Sequence, residues 1–223
     1  MYNTQDIRNL FIEKYKNKEF VIDKTGVKLI ELLGISYIVT EPVIFGTLNI
    51  DYANRELLWY KSMSLNVNDI PEGAPTIWKQ VADKDGFINS NYGWAIWSQD
   101  NYNQYQCCLQ ELKNNQDTRR AIMIYTRPSM QIEYNKNGMS DFYCTNNVSC
   151  FIRKNKLIYI INQRSCDIIY GAKNDIFWHK HVHNCLLNDL KETYPYLEIG
   201  DMIHQVGSLH CYERHFKFLK ENL

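Results

Sequence analysis

Cys144, Arg164 and Asp175 lie in one short stretch of the chain and carry complementary chemistry. Cys144 stands in Phe142-Tyr143-Cys144-Thr145-Asn146, and Arg164 in Asn162-Gln163-Arg164-Ser165-Cys166-Asp167. Asp175 closes Gly171-Ala172-Lys173-Asn174-Asp175. A free thiol has a pKa near ~8.5 and is mostly protonated at neutral pH, so it needs help to act as a nucleophile. A guanidinium beside it stabilises the thiolate, and a hairpin between the two positions would bring Arg164 back to Cys144, two strands on. A carboxyl group accepts hydrogen bonds and, when protonated, also donates one. Each residue has a plainer reading as well. Cysteine is a common buried apolar residue, and aspartate commonly caps helices.

The elements that would position these groups are mixed. Residues 4–16 place Ile7, Leu10, Phe11 and Tyr15 on one helical stripe, and 52–63 also read as helix. Pro71 to Pro75 is a loop. Ala121 to Tyr125 is short, apolar and β-prone, which predicts a buried strand. Val148–Ile152 and Leu157–Ile161 flank the polar Arg153-Lys154-Asn155-Lys156 and predict a hairpin. A helix is predicted over 176–193, with Trp178, Val182, Leu186 and Leu190 on one face and Pro195 beyond its end. The pattern predicts an α+β fold in a single domain spanning 1–223.

Composition narrows the function classes. The 25 basic and 25 acidic residues balance, giving no electrostatic footprint for direct nucleic-acid or membrane binding. A polar start, Met1 to Asp6, with no apolar stretch after it predicts no signal peptide. No run of roughly 18 apolar residues predicts a membrane span. The seven cysteines lack paired metal spacing, so a reduced, cytoplasmic chain is expected and the sequon at Asn147 carries no glycan. His179 and His183 share a helix face, but no acid lies between them as in HExxH, so a solvated or partly packed face is expected and no metal. Cys107-Cys108 is expected to pack in a helix.

The order of several further motifs resembles the thymidylate synthase superfamily over nearly the whole chain. Asp23-Lys24-Thr25-Gly26 resembles its phosphate loop, with lysine for arginine. Arg55-Glu56-Leu57-Leu58-Trp59 resembles the helix carrying the catalytic glutamate, and Ile77-Trp78 and Asn91-Tyr92-Gly93 resemble cleft segments. Thr118-Arg119-Arg120 looks like the arginine pair donated across a dimer interface. Gln163-Arg164-Ser165-Cys166-Asp167 is the strongest motif, and Gly207-Ser208-Leu209-His210-Cys211-Tyr212 looks like the ribose-holding segment. Asp175 stands where the synthases carry a base-reading amide, which points to the cytosine-specific, phage-type branch that hydroxymethylates a deoxycytidylate.

The resemblance implies a large mixed sheet with packed helices, dimerising through the sheet. It implies Cys144 as nucleophile, Glu56 and Tyr92 in water and proton handling, and Asp175 as base reader. Nucleotide binding falls to Lys24, Arg119, Arg120, Arg164, Ser165, His210 and Tyr212. The co-substrate implied is 5,10-methylenetetrahydrofolate, held by Trp78, Asp167 and Gly171, with no metal. Partners implied are dCMP, a second copy whose Arg119 and Arg120 reach the neighbouring site, and a complex of nucleotide-synthesis enzymes in a host cytoplasm. Cytosine offers an acceptor at N3 and an amino donor at position 4, the reverse of uracil, and a protonated carboxyl matches that pair, as does a carboxylate facing cytosine protonated at N3. The chain departs from the synthases at Thr145, where they carry histidine, at Val81, where they often place tryptophan, at Asn146-Asn147, and in ending at Leu223 soon after Tyr212. The same residues leave open a ribonucleotide hydroxymethylase, a dCMP or dUMP methylase, or a catalytically silent nucleotide-binding regulatory dimer.

Overall fold

The computed structural model describes residues 1–222. Strand β1 (Tyr2–Asn3) leads directly into helix α1 (Thr4–Lys16). Asn3 makes that transition: its side chain accepts from the Asp6 amide while the Asp6 carboxylate accepts from the Asn3 amide. There follow β2 (Val21–Ile22), β3 (Lys28–Ile38), α2 (Ile50–Ser62), α3 (Thr76–Val81), α4 (Tyr92–Trp97) and α5 (Gln104–Asn114). The second half comprises β4 (Ile122–Ile124), α6 (Met130–Glu133), β5 (Thr145–Arg153), β6 (Lys156–Asp167), α7 (Gly171–Leu190), β7 (Glu198–Tyr212) and α8 (Phe216–Lys220).

All seven strands join one mixed sheet in the order β1-β3-β7-β6-β5-β4, with β2 also on β3. β6 and β7 run parallel, and α7 supplies the crossover that a parallel pair requires. β3 and β5 flank them antiparallel. The β5–β6 hairpin closes with Arg153 opposite Lys156, leaving Lys154 and Asn155 at φ 51° and 57°. Two left-handed residues match the twist of the strands they join.

One sheet face carries the core. Val148, Cys150, Leu157, Tyr159, Ile161 and Val206 are buried there beneath α7, whose Ile176, Val182, Leu186 and Leu190 face inward. An aromatic stack ties α2, α4 and α7 together. Tyr60 lies on Tyr92 with centroids 5.4 Å apart, and Trp178 packs edge-on against Tyr60 at 5.0 Å. The opposite sheet face is open: Ile122 and Ile124 are exposed there, on either side of the inward Met123.

Three sequence readings change in detail. α7 begins at Gly171, five residues before the apolar periodicity starts, because its first turns face a polar cleft. It also stops at Leu190, ahead of Thr193. The strand at 121–125 alternates, with Met123 inward and Ile122 and Ile124 outward, because it forms an edge with one face uncovered.

α4 crosses α2 so closely that a Cβ on Gly93 would sit 1.8 Å from the Tyr60 carbonyl oxygen. Gly93→Ala therefore has to push apart the two helices that carry Tyr92 and Glu56. The expected loss in stability is about 3 kcal/mol, the upper part of the usual overpacking range, and urea unfolding measures it.

Candidate active site

Cys144 immediately precedes β5, and Arg164 lies on the adjacent strand β6 rather than one strand further away. The Arg164 amide donates to the Cys144 carbonyl at 2.9 Å. Its guanidinium donates from Nε to the Tyr143 carbonyl at 2.8 Å and from Nη2 to the Phe142 carbonyl at 3.0 Å. It also lies over the Phe142 ring, 4.9 Å from the centroid. These contacts fix Nη2 at 3.8 Å from the Cys144 sulfur. Burial nevertheless pushes the Cys144 thiol up to about 11, the Asp175 charge adds to that rise, and Arg164 opposes it. At neutral pH the Cys144 side chain therefore rests as a thiol.

Asp175 sits beyond the first turn of α7, where Tyr170 is the N-cap, so helix capping is not its role. Its Oδ2 accepts from the Gln163 side-chain amide at 2.8 Å. Burial lifts its carboxyl to about 7, and the nearby Glu56 charge adds to the rise against the Gln163 bond. Glu56 is buried on α2 rather than exposed. Its Oε1 accepts from the Trp78 indole at 2.9 Å and from the Tyr52 hydroxyl, while burial raises its pKa. Trp78 is thus tied to the glutamate. Tyr92 opens α4, and its hydroxyl oxygen accepts from the Thr145 amide at 3.3 Å and hydroxyl at 3.1 Å.

Behind these groups lies a buried polar network that the sequence motifs did not single out. Gln163 Nε2 also donates to Thr145 Oγ1 at 3.1 Å, and Gln163 Oε1 lies 2.6 Å from His204 Nε2. His204 Nδ1 in turn lies 2.9 Å from the Tyr37 hydroxyl. His179 bridges Thr145 Oγ1 at 3.4 Å and the Tyr159 hydroxyl at 3.2 Å, and His183 meets the Leu157 carbonyl at 2.8 Å. His179 and His183 are therefore fully packed beneath the sheet, correcting the expectation of a solvated or partly packed face. The signal available in the sequence was the inward position of Gln163 and His204 in their strands.

The remaining positions divide in two. His210 and Tyr212 lie on β7 with ring centroids 4.9 Å apart, and the sheet sets Ser165 opposite Ser208 and Asp167 opposite His210. Tyr212 pairs with Leu29 of β3, so the exposed Lys24 loop, closed by bonds to Asp23 Oδ1, enters the sheet at this same end. Asp167 Oδ1 accepts from the Ile169 amide at 2.7 Å, and Gly171 opens α7 beside it. Arg119 and Arg120 are elsewhere. They precede β4, whose Ile122 pairs with Ser149, which places Arg120 level with Phe151. That is six residues of strand from Thr145, or roughly 20 Å. Arg120 Nε donates to Glu111 at 3.2 Å.

A thiol held against a fixed guanidinium, with two buried carboxyls in the same cleft, is the equipment of a covalent-catalysis enzyme acting on an anionic substrate. The sequence matches the thymidylate synthase family over residues 37–223, and the chain belongs to that family. The deoxycytidylate 5-hydroxymethyltransferases of Enterobacteria phage T6 and Enterobacteria phage T4 are each 57% identical to it over 203 residues, covering 90% of this chain and 82% of theirs. Thermostable thymidylate synthase A from Bacillus subtilis has the same fold, with a TM-score of 0.72 at 22% identity, covering 98% of this chain and 83% of that one.

The raised Asp175 carboxyl makes stability pH-dependent. Its folded pKa, about 7, lies above the unfolded value of about 3.9, so the folded state binds the extra proton. This contribution is fully present below the unfolded value and is lost as pH rises through 7. Asp175→Asn removes that dependence, so its gain in Tm is expected to be larger at pH 8 than at pH 5. Thermal melts at both pH values measure the difference, and equal gains overturn the assignment.

Proposed function

We propose that this chain transfers a one-carbon unit from 5,10-methylenetetrahydrofolate to C5 of dCMP, with water completing the reaction to give 5-hydroxymethyl-dCMP and tetrahydrofolate. The observation that carries this reading is the Asp175 carboxyl, held by Gln163 in the cleft of Cys144, in a chain 57% identical to phage deoxycytidylate 5-hydroxymethyltransferases. A carboxyl whose pKa lies near 7 carries its proton in part of the population there, and in that form it supplies one donor and one acceptor, the pair that the N3 and 4-amino edge of cytosine requires.

The chemistry follows from the placement of the groups. Cys144 loses its proton as its sulfur adds to C6 of the pyrimidine, and Arg164 stabilises the thiolate at that moment. Addition at C6 makes C5 nucleophilic. The folate co-substrate supplies the carbon at the oxidation level of formaldehyde. Removal of the C5 proton then expels tetrahydrofolate as the leaving group and leaves an exocyclic methylene, to which water adds before Cys144 departs. Glu56 is suited to both tasks, because Trp78 and Tyr52 occupy Oε1 and no described residue hydrogen-bonds Oε2. Tyr92 bonds Thr145, the residue after the nucleophile, and so holds the approach to C6. Ser165, His210, Tyr212 and Lys24 take the sugar and phosphate side. Trp78, Asp167 and Gly171 take the side left for the folate.

The phosphate set is completed by a second copy of the chain. A phosphomonoester carries about two negative charges and suits guanidinium forks. Arg164 is largely committed to backbone carbonyls, and Arg119 and Arg120 are exposed and far from their own Cys144, with Arg120 paired to Glu111. Pairing through the open sheet face would present them to a neighbour. Each catalytic domain, 1–223, is then active only as half of a homodimer.

Two measurements test these assignments. Mass analysis of products from dCMP and dUMP, each with methylenetetrahydrofolate, is expected to give hydroxymethylated dCMP and little dUMP turnover. Asp175→Asn should reverse that preference, with a loss on dCMP of up to ~10⁴. Methylated product, or preference for dUMP in the unaltered chain, overturns the function. Separately, Cys144→Ser and Arg120→Ala chains should each be inactive alone, yet regain about a quarter of full activity when mixed at equal amounts and allowed to exchange subunits. No recovery after verified exchange rejects the shared site.

A further inference from the structure

Tyr37, on β3, is fully buried, and its hydroxyl has one partner among the described residues, His204 Nδ1 at 2.9 Å. If Nδ1 carried a hydrogen, the hydroxyl would accept it and leave its own proton unpaired in the core. A buried donor without an acceptor is costly, so Tyr37 donates and Nδ1 is bare. Burial pushes His204 down to about 3, which keeps it neutral, and its single ring proton then sits on Nε2. From there it donates to Gln163 Oε1 at 2.6 Å. With its oxygen engaged, the buried Gln163 amide must turn its NH2 towards Asp175 Oδ2, 2.8 Å away, and Thr145 Oγ1, 3.1 Å away. Every donor in this line points the same way, from β3 across β7 and β6 to the carboxyl on α7.

We propose that Tyr37 and His204, acting through Gln163, fix which oxygen of Asp175 accepts and which is left to donate, making a residue two strands behind the cleft a determinant of base preference. The inference rests on the reading of Asp175 as the base reader. An amide N–H prefers a carbonyl oxygen over a hydroxyl oxygen, so in the neutral acid the proton stays on Oδ1 and Oδ2 accepts. The base then meets one donor and one acceptor in a set order. Cytosine and uracil present these groups in opposite orders, so a Gln163 amide free to flip would let Asp175 serve either base. The oriented line of hydrogen bonds suppresses the order that suits uracil. Tyr37, His204 and Gln163 are positioning residues; none needs to touch the nucleotide.

Tyr37→Phe removes the first donor while keeping the ring. The test compares kcat/KM for dCMP and dUMP in the unaltered protein, Tyr37→Phe and Asp175→Asn, with ¹⁵N NMR of labelled histidine reporting the His204 tautomer. The unaltered protein should show His204 protonated at Nε2, and Tyr37→Phe a mixture of tautomers. The dCMP-to-dUMP ratio should fall about tenfold or more in Tyr37→Phe, the effect of misaligning one buried hydrogen bond. A purely structural role would lower both nucleotides together and leave the ratio unchanged, which overturns the proposal. So does a proton on Nδ1 in the unaltered protein, a result that stands even if Tyr37→Phe fails to fold. If Asp175→Asn reverses base preference while Tyr37→Phe keeps the ratio, only the oriented line is wrong. If Asp175→Asn leaves preference intact, the base-reader assignment itself is wrong.

Discussion

Two carboxyls and a thiol share a cleft faced by one rigid guanidinium, and that imbalance of potential charge governs the site. Burial lifts Glu56, Asp175 and Cys144 together, and the charges reinforce one another: Glu56 raises Asp175, and Asp175 raises Cys144. A resting cleft with all three ionised would place like charges side by side away from water. The cleft instead rests with its thiol protonated and the Asp175 carboxyl titrating near 7. A hydrogen-bonding partner at Asp175 would relieve part of the charge that opposes a Cys144 thiolate.

The sheet makes this arrangement tolerable. Arg164 cannot swing away, because two carbonyls of the segment entering β5 hold its guanidinium. That same segment carries Cys144, so the cation and the Cys144 thiol are positioned by one set of bonds. Glu56 needs a different frame. It belongs to α2, which reaches the cleft only because α4 lies against α2 without a side chain at Gly93 and the Tyr60–Tyr92 stack fills the space beside it. Buried polar groups of this kind specify a structure when all are satisfied and weaken it when they are not. Here Gln163 uses its amide on both sides, joining Thr145 and Asp175 to His204.

What was legible in the sequence follows the range of the interactions. The α1 stripe and the β5–β6 hairpin are local patterns, and their spacing marks them. The motif around Arg164 and the step back to Cys144 are a hairpin's width apart, so order along the chain already suggests proximity. Tyr37, Gln163 and His204 come from three strands far apart in sequence, and they meet only because β3, β7 and β6 are neighbours. Period-two alternation points each of them inward but does not pair them. His179 and His183 sit among polar neighbours such as Lys180, which makes their helix face look wet. Their burial is decided by the strand carbonyl and hydroxyls beneath them, Leu157, Thr145 and Tyr159. The start of α7 was obscured for the opposite reason, since the residues of its first turns serve a cleft and carry no apolar period.

The distance between Arg119-Arg120 and Cys144 bears on why the sheet has one uncovered face. Strand pairing sets Ile122, Ser149, Ile160, Ile203 and Ile38 in one row across that face, and Ile124, Asn147, Asn162, Gln205 and Ser36 in the next. The rows alternate between mainly apolar and polar, a surface that suits a self-complementary partner better than open water. A two-fold axis lying in such a face and across its strands would turn one copy end for end against the other. The end of one sheet that carries the arginine pair would then approach the end of the other that carries Cys144. A separation of about 20 Å along β5 defeats these arginines within one chain. The same separation, reversed by the axis, is what would deliver them to the neighbour's phosphate.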